Sequence, residues 1–347
     1  MARKSSPPDM KRGRVVAIAG ATGAVGEVLL RILEQRQFPV SELRPLASER
    51  SAGSTVTFRG KKLAVEIARP EAFDGVDFAF FAATGALAKE LAPEVARRGG
   101  IAIDKSNTWR MDPQVPLVIP EINGAAVEKH QGIIASPNCT TTPPVMALAA
   151  LRPLAKLKSA VITTLQSASG AGLPGVEELE AQQKAIAAGQ PVPPPKKFAR
   201  QLANNVVPLC ETFTDNGYST EEMKLLLEMR KILEEPGFNV AMTCVRVPVP
   251  VGHSASILLE AEPAITPEAA RAALAKFPGV RVMDDPKHDL FPTPADGAGI
   301  DEVLVGRIRR DLTSERLWLW AVGDNLRKGA ALNAVQIAEE LMRRGLR

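Results

Sequence analysis

Residues 14–36 read RVVAIAGATGAVGEVLLRILEQR. The run from Arg14 to Ala19 predicts a short buried strand, and the helical spacing of apolar residues from Glu27 to Arg36 predicts an amphipathic helix. Between them lie glycines at positions 20, 23 and 26, spaced GxxGxxG rather than GxGxxG. Strand, glycine turn and helix in this order are typical of a dinucleotide-binding unit, because glycine lets the backbone approach a pyrophosphate whose charge the helix N-terminus receives. The alternative interpretation is a tight packing turn.

Strands and helices continue to alternate along the first half of the chain. Val76 to Ala83 is an unbroken apolar run, as in a parallel strand that is covered on both faces. The pattern also predicts strands at 43–47, 101–104 and 117–119, another just before position 136, and a helix at 87–98. This alternation predicts a doubly wound parallel sheet.

The end of the predicted strand 43–47 bears on the choice of cofactor. Ser48, Glu49 and Arg50 follow that strand directly. At this point of a dinucleotide fold an acid binds the ribose hydroxyls of NAD, whereas a serine and an arginine suit the 2′-phosphate of NADP. We expect NADP, while Glu49 keeps NAD open and a solvated loop cation is the alternative for Arg50. Thr84, at the end of another predicted strand, is either a cofactor residue or a turn residue.

A second informative stretch is 132–148, GIIASPNCTTTPPVMAL. Its threonines, followed by Pro143 and Pro144, predict a helix start, because proline is tolerated in the first helical turn. Cys139 therefore lies just ahead of a helix N-terminus, where the dipole and free N–H groups favour a thiolate. A thiolate in this position suits a covalent acyl-transfer nucleophile, and the alternative is a buried structural cysteine.

Several charged residues are candidate partners for this cysteine. Glu221 and Lys224 are three residues apart near the start of a predicted helix and share one face, for which a surface salt bridge is the commoner explanation. Arg246 is a single cation in an apolar strand, which favours an anionic ligand, and Arg110 lies in a polar loop where it binds an anion or pairs on the surface. His253, in a turn seven residues after Arg246, is the best candidate acid/base group, although a single histidine is more often structural.

Composition limits the class of protein. A chain of 347 residues predicts two domains, and its opening, MARKSSPPDMKRGR, lacks the apolar region of a signal peptide and predicts a disordered basic arm over 1–13. No apolar run is long enough to span a membrane, and scattered basic residues without interleaved aromatics argue against nucleic-acid binding. The three cysteines form neither a disulfide framework nor a metal motif, so we expect a cytoplasmic protein without a metal.

Taken together, these motifs resemble the aspartate-β-semialdehyde dehydrogenase family over nearly the whole chain from Arg14. In chain order they are GATGAVG, SPNCTT, QSASGAG, EEMK, CVRVPV, GHS, GRIR and DNLRKGAA. The resemblance implies a Rossmann-type NADP-binding domain over 14–138 and 324–347. It also implies an α+β catalytic and dimerisation domain over 139–323, like that of glyceraldehyde-phosphate dehydrogenase, and a homodimer.

The resemblance implies a reaction as well. This is the reversible, NADPH-dependent reductive dephosphorylation of β-aspartyl phosphate to aspartate semialdehyde and phosphate. It stands at the branch point towards lysine, threonine, methionine and, in bacteria, diaminopimelate. Ala83-Thr84-Gly85 replaces a more serine-rich loop of the family, which leaves the preference between NADP and NAD open.

The same resemblance assigns a role to each candidate residue. Cys139 is the nucleophile, His253 is the general acid/base, and Gln166 orients the thioester intermediate. The implied substrate ligands are Asn138, Arg246 for the α-carboxylate, Glu221 for the ammonium group, and Lys224 and Arg110 for the phosphate. The implied NADP ligands are Gly20, Thr22, Gly23, Ala24, Val25, Gly26, Ser48, Arg50, Thr84, Ser169, Gly170 and Asn325.

Three other functions compete with this interpretation. An N-acetylglutamyl-phosphate reductase shares fold, cofactor and cysteine chemistry, but its substrate has no free ammonium group and so no use for Glu221. A glyceraldehyde-phosphate dehydrogenase is disfavoured by Arg246 and by the EEMK motif. A non-catalytic protein that binds NADP as a sensor or scaffold is disfavoured because all the reactive residues are present.

Overall fold

The computed structural model describes residues 12–346, and these fall into two units. One comprises the residues up to Pro137 together with those from Ala330 onwards, and the other comprises Asn138–Gly329. The predicted basic arm lies outside the described residues except for Arg12 and Gly13. The predicted domain limits differ from this division at Asn138 and at 324–329, which lie in the second unit. The backbone N–H of Asn138 and the side chain of Asn325 form hydrogen bonds within that unit.

The first unit is built on a parallel sheet. Its elements up to position 135 are β1 (Arg14–Ala19), α1 (Ala24–Gln35), β2 (Val40–Ala47), β3 (Thr55–Phe58), β4 (Lys61–Ala64), β5 (Glu66–Ile67), β6 (Phe78–Phe81), α2 (Gly85–Arg97), β7 (Ile101–Asp104), α3 (Pro120–Asn123) and β8 (Ile133–Ala135). The six strands of the main sheet run in the order β5-β2-β1-β6-β7-β8, and every neighbouring pair is parallel. The predicted doubly wound parallel sheet is confirmed.

The strand order gives β1 a special place in this sheet. It lies between β2 and β6, so the chain leaves it on one side and later returns on the other. The carboxyl ends of three adjacent strands therefore meet at one edge, which is where open parallel sheets bind ligands. β6 is buried at all four positions, in agreement with its unbroken apolar sequence.

Two local features of this unit differ from the sequence prediction. Residues 117–119 form only an isolated bridge from Leu117 to Ala135, since Pro116 precedes this segment and α3 begins at Pro120 directly after it. The antiparallel hairpin β3–β4 was not predicted. Its strands are short and largely exposed, so they carry little apolar periodicity.

The second unit is built on a mixed sheet. Its elements are α4 (Thr142–Leu151), β9 (Lys156–Gln166), α5 (Leu173–Ala187), α6 (Thr220–Leu233), β10 (Asn239–Arg246), β11 (His253–Glu262), α7 (Pro267–Lys276), β12 (Val280–Val282), α8 (Pro294–Gly297), β13 (Val303–Arg310) and β14 (Leu317–Gly323). The six strands run in the order β10-β9-β11-β14-β13-β12, with antiparallel pairs in the centre and a parallel pair at each edge. α4 is buried at all ten positions and packs against α6, α7 and the sheet, which explains why its sequence is apolar on every face.

The proline-rich segment, residues 188–203, follows α5 and packs against this helix within the same unit. The carboxylate of Glu178 accepts hydrogen bonds from the backbone N–H groups of Lys196 and Lys197. The buried side chain of Gln182 accepts two more, from Leu202 and Ala203. These four bonds hold an irregular segment in place without regular secondary structure.

The end of the chain returns to the first unit. A π-helical turn at Arg327–Ala331 precedes α9 (Leu332–Arg343), which packs against α1, α3 and β7. The Asn333 amide in α9 donates to the carbonyl of Val118 at 2.9 Å and to the hydroxyl of Ser136 at 3.0 Å. The last helix therefore belongs to the first unit, together with the parallel sheet.

Candidate active site

Cys139 lies in the turn that leads into α4. The carbonyl of Asn138 accepts the backbone N–H groups of Thr141 and Thr142 at 3.1 and 3.2 Å, and two prolines occupy the first helical turn as predicted. The half-buried Sγ lies 3.3 Å from Asn138 Oδ1 and 3.5 Å from His253 Nε2. The cysteine and the histidine are therefore adjacent, as a nucleophile and an acid/base partner must be.

His253 is the first residue of β11, whereas the sequence placed it in a turn. It pairs with Gly323 across the sheet, so strand pairing fixes its backbone. Its Nδ1 accepts a hydrogen bond from the backbone N–H of Ser167 at 3.1 Å, and the Ser167 hydroxyl oxygen lies 3.0 Å from the same nitrogen. Because a backbone N–H can only donate, Nδ1 must be the acceptor, and the proton of the neutral imidazole lies on Nε2, facing Cys139.

The charge state of His253 agrees with this tautomer. Burial, together with the Arg246 guanidinium, holds the pKa of His253 well below its ordinary value of 6.5. The ring is therefore neutral near pH 7 and presents an N–H donor to the sulfur. This arrangement makes His253 a hydrogen-bond donor to the sulfur, and Nε2 has no lone pair with which to take the thiol proton. The predicted general acid/base role stays a prediction.

A hydrogen-bonded network holds the loops around His253. Asn325 Oδ1 accepts from the hydroxyls of Ser167 and Ser169 and from the N–H of Gly252, at 3.0, 3.2 and 3.0 Å. The amide of Asn325 also donates to Ser169 Oγ at 2.9 Å. These residues follow β9, precede β11 and follow β14, which are neighbours in the sheet, so their loops meet at one edge. The predicted cofactor roles of Ser169 and Asn325 stay predictions.

Gly170 lies within this edge, where there is no room for a side chain. A Cβ atom at this position would come within 2.8 Å of Arg246 Nη1 and 3.0 Å of His253 Cε1. The glycine thus permits the loop after β9 to close over both side chains.

Glu221 in α6 joins several of the candidate residues. Its Oε1 accepts hydrogen bonds from the Gln166 amide at 3.1 Å and from the Thr140 hydroxyl at 2.9 Å. Its Oε2 lies 3.4 Å from Lys224 Nζ, which also contacts Glu211. The predicted pair is therefore a nearly buried carboxylate beside an ammonium group. This carboxylate is bonded to Thr140, the residue that directly follows Cys139 in the chain.

Arg246 ends β10 on the other side of the site. Its Nη1 donates to the carbonyl of Ser167 at 2.7 Å, and its Nε finds no hydrogen-bond partner among the described residues. The ring of Phe198, from the proline-rich segment, lies 5.8 Å from the guanidinium carbon. A buried guanidinium with unused donor capacity suits a carboxylate ligand.

Sequence reasoning missed three residues that hold this site together. Ser167 sets the histidine tautomer, Thr140 bonds Glu221, and Glu228 accepts the backbone N–H of Asn138 at 2.7 Å. Ser167 lies in the QSASGAG motif, in which only Gln166, Ser169 and Gly170 were predicted to belong to the site. Glu228 lies seven residues after Glu221 and thus on the same face of α6, a spacing that could have found it.

In the first unit, the glycine turn after β1 fits a dinucleotide. Gly20 has a φ of +90°, and a Cβ atom there would lie 2.4 Å from the carbonyl oxygen of Ala82. A Cβ atom on Gly26 would lie 2.2 Å from the Gly20 carbonyl oxygen, so helix and turn approach as closely as backbones can. Gly23 occupies the N-cap of α1 without a side chain, which leaves the N-terminal N–H groups open to a pyrophosphate.

The other predicted residues of this unit lie as follows. Thr22 in the turn and Ala24 and Val25 at the start of α1 are partly exposed. Ser48 and Arg50 are exposed directly after β2, and Thr84 is the N-cap of α2. Arg110 is buried, and it donates to the carbonyls of Ser136 at 3.0 Å and Lys105 at 2.6 Å. Its predicted role as a phosphate ligand stays a prediction, since those bonds hold the guanidinium within the first unit.

Two further findings concern other classes of site. Across residues 12–346, no three His, Cys, Asp or Glu side chains are grouped so that they could hold a metal ion. The helices of this part of the chain include none that is both long and apolar enough to cross a membrane.

Comparison with known proteins agrees with the geometry. Residues 15–130 match the NAD-binding domain of semialdehyde dehydrogenases, and residues 148–328 match the semialdehyde dehydrogenase dimerisation domain. The aspartate-semialdehyde dehydrogenase of Aquifex aeolicus is 48% identical over 338 residues, covering 96% of this chain and 99% of the relative. That of Bacillus subtilis is 46% identical over 345 residues, covering 97% and 100%.

A solved structure extends the likeness to three dimensions. It is an aspartate semialdehyde dehydrogenase II from Vibrio cholerae, described as complexed with ASA, and it is 41% identical to this chain. The TM-score is 0.92, and the match covers 96% of this chain and 99% of the other. The chain thus has a dinucleotide-binding fold and an adjacent cysteine and histidine, and the relatives described above match it over nearly its full length. It belongs to the aspartate-semialdehyde dehydrogenase family.

Proposed function

We propose that this protein catalyses the NADP-dependent reductive dephosphorylation of β-aspartyl phosphate to L-aspartate 4-semialdehyde and phosphate. The observation that carries the proposal is the contact of Cys139 Sγ with His253 Nε2, beside a buried carboxylate and a buried guanidinium of the same unit. Membership of the family makes the chain an oxidoreductase. We also assign it to lysine, threonine, methionine and diaminopimelate biosynthesis, and the cytoplasmic location stays a prediction.

The charges of the site complement those of the substrate. β-Aspartyl phosphate carries an α-carboxylate, an α-ammonium group and an acyl phosphate. Arg246 offers a guanidinium with spare donors for the carboxylate, and Glu221 offers a carboxylate for the ammonium group. Lys224 and Arg110 are the proposed phosphate ligands. Gln166, held between Thr164 and Glu221, is proposed to orient the bound acyl group.

The reaction begins on Cys139. The thiolate attacks the β-carbonyl carbon, the bond to the phosphate oxygen breaks, and phosphate leaves with a proton from solvent. A thioester now joins the aspartyl group to Sγ. The Nε2–H of His253 stabilises the thiolate before the attack by hydrogen bonding, whereas Asn138 Oδ1 accepts a hydrogen bond from the sulfur only while it is a thiol.

The bound cofactor supplies a hydride to the thioester carbonyl carbon. The oxyanion formed on Cys139 by this reduction collapses with cleavage of the C–S bond, which releases the aldehyde and restores the thiolate. His253 keeps its Nε2 proton and hydrogen-bonds the departing sulfur, which stabilises the thiolate as the bond breaks. The glycine turn after β1 is proposed to hold the pyrophosphate, and the exposed Ser48 and Arg50 the 2′-phosphate of NADP.

The first experiment measures phosphate-dependent reduction of NADP and of NAD by the purified protein. Aspartate semialdehyde is compared with the N-acetylglutamate analogue, which has no free ammonium group for Glu221. Rapid, phosphate-dependent NADPH formation with aspartate semialdehyde alone supports substrate, cofactor and acyl-phosphate step together. Activity with the acetylated aldehyde instead overturns the substrate, and faster turnover with NAD overturns the cofactor preference.

A variant separates enzyme from sensor. We expect Cys139→Ala to abolish turnover while NADP still binds with its wild-type affinity, because the sulfur is needed only for the covalent step. Binding is followed by quenching of intrinsic fluorescence or by calorimetry. Turnover near the wild-type rate in Cys139→Ala would overturn the mechanism, and silence of the wild type with both aldehydes would favour a sensor that binds NADP.

A further inference from the structure

Glu228 is a buried acidic residue that the proposed reaction leaves without a role. It is 1% exposed in α6, and its Oε2 accepts the backbone N–H of Asn138 at 2.7 Å and the hydroxyl of Thr141 at 3.0 Å. These two donors stand one residue before Cys139 and two residues after it. One carboxylate oxygen therefore bridges the turn that carries the nucleophile.

The position of Glu228 in α6 connects this turn with the substrate groups. Glu221 precedes it by seven residues, which is two helical turns, so both carboxylates project from one face of the same helix. Glu221 bonds the hydroxyl of Thr140, on the other side of Cys139. Helix α6 thus holds the turn at three residues that flank Cys139, at positions 138, 140 and 141.

The charge of Glu228 acts at the start of α4. Thr141 is the N-cap of α4, where the helix dipole favours a negative charge. The buried Glu228 carboxylate lies at this end of α4, so both it and the sulfur of Cys139 interact with the positive end of the helix dipole. A fixed negative charge close to Cys139 opposes formation of the thiolate, which the hydrogen bond from His253 Nε2–H favours.

We propose that Glu228 is a positioning residue for the nucleophile: it fixes the Asn138–Thr141 turn so that Cys139 faces His253, and its charge limits ionisation of the thiol. The inference rests on Cys139 being the nucleophile. The other charged or titratable groups around the turn are Glu221 and Lys224 on α6, Arg246 on β10, His253 on β11, and Lys328, one residue before the glycine that packs on Cys139.

The charge is tested by alkylation of Cys139 with iodoacetamide over a range of pH, which requires no turnover. Cys210 and Cys244 do not interfere, because burial raises the pKa of Cys210 to about 12 and raises that of Cys244 as well. In Glu228→Gln the amide oxygen still accepts both hydrogen bonds but the charge is gone. We expect the pH midpoint of alkylation to fall by about one unit.

A matched control lies six residues earlier in the same helix. Glu222 is also buried and accepts the backbone N–H groups of Ser219 and Cys244, but neither belongs to the nucleophile's turn. We expect Glu222→Gln to leave the alkylation midpoint unchanged, whatever it does to stability. A midpoint that stays at the wild-type value in Glu228→Gln, or that shifts equally in Glu222→Gln, overturns the electrostatic part of the inference.

The positioning role is tested by a double-mutant cycle with aspartate semialdehyde as substrate. We expect Glu228→Ala to lower kcat by about 10- to 100-fold with little change in KM, since a small displacement of the nucleophile has that effect while the substrate ligands remain. Thr141→Val should lower kcat less. The double variant should have the same kcat as Glu228→Ala, because both substitutions remove the same hydrogen bond between Thr141 and Glu228. Multiplicative effects, or a wild-type kcat in Glu228→Ala, overturn the positioning role.

Folding and the proposed function are controlled separately. Where Glu228→Ala does not fold, Thr141→Val alone tests the positioning role, because Glu228→Gln keeps both hydrogen bonds, and a wild-type kcat in Thr141→Val overturns the role. Cys139→Ser serves as the control for the nucleophile. Full activity in that variant would overturn the proposed function, whereas an unchanged alkylation profile in Glu228→Gln overturns only this inference.

Discussion

At the scale of single residues, the tautomer of His253 follows from one backbone contact. The N–H of Ser167 points at Nδ1, so a proton on that nitrogen would face another donor. A neutral imidazole with its proton on Nε2 accepts at Nδ1 and donates to the sulfur of Cys139. An imidazolium would carry a second proton on Nδ1, facing the N–H of Ser167. The lowered pKa of His253 and its hydrogen bonds therefore have the same consequence, a neutral ring that donates to sulfur.

This burial of a neutral histidine makes stability depend on pH. The pKa of His253 is lower in the folded protein than the ordinary 6.5 of the unfolded chain, so between those values the unfolded state binds more protons. We expect His253 to contribute a loss of up to about 1.4 kcal/mol of unfolding free energy per pH unit as pH falls below 6.5. Urea titrations at several pH values should show a shallower slope for His253→Asn, and parallel slopes would contradict this account.

A second residue-scale prediction concerns Gly170. A methyl group there meets the guanidinium of Arg246 and the ring of His253, both fixed by hydrogen bonds. We expect Gly170→Ala to lower kcat/KM for aspartate semialdehyde by about 10- to 100-fold. Gly237→Ala is the matched control, because a Cβ atom at Gly237 has no heavy atom within 4 Å. Equal activities of the two variants would show that the loop after β9 can move away.

At the scale of elements, α6 joins the substrate ligands to the nucleophile's turn. Its start is fixed by a capping box, in which Ser219 Oγ accepts the N–H of Glu222 and the Glu222 carboxylate accepts the N–H of Ser219. The same first turn carries Glu221, and Lys224 follows one turn later. The start of the helix therefore bears on substrate binding as well as on stability.

We expect Ser219→Ala to lower the free energy of unfolding by about 1 kcal/mol and to raise the KM for aspartate semialdehyde. Thr266→Ala removes a comparable N-cap from α7, where Thr266 Oγ1 accepts the N–H of Ala269 at 3.2 Å. It should cost similar stability and leave KM unchanged, because α7 carries none of the site residues. Chemical denaturation and steady-state kinetics measure the two effects, and equal KM values in both variants would contradict this role of α6.

At the scale of the whole molecule, one face of the mixed sheet lacks a cover within its unit. Val161 lies on β9, an interior strand between β10 and β11, and is still 47% exposed. Apolar side chains on an exposed sheet face are typical of a surface that binds another protein. The matched dimerisation domain includes this strand, so we propose that a second copy of the chain covers the face in a homodimer.

This proposal predicts the effect of a charge on that face. Val161→Lys should shift the protein from dimer to monomer in analytical ultracentrifugation, because the interface would then bury an unpaired ammonium group. Leu312→Lys is the control, since Leu312 is fully exposed in a loop of the same unit. A dimer that persists in Val161→Lys at micromolar concentration would place the interface elsewhere.

The sequence was sufficient for the parts of the molecule that depend on local order along the chain. The glycine turn at 20–26, the buried run at 76–83 and the two prolines after Cys139 each predicted an element that the structure contains. Local backbone geometry is set by neighbouring residues, and glycine and proline restrict it most strongly. The resemblance in several motifs then gave the family and named the nucleophile.

The tertiary structure alone decided how those residues act together. Strand pairing placed His253 at the start of β11, and an N–H from another strand end chose its tautomer. Helix α6 brought Glu228 beside Asn138, ninety positions earlier in the chain. Two donors of Arg110, whose role as a phosphate ligand stays a prediction, are directed at carbonyls of its own unit. Such contacts join residues far apart in the chain, and the composition and spacing of one segment carry no information about which distant atom will complete its hydrogen bonds.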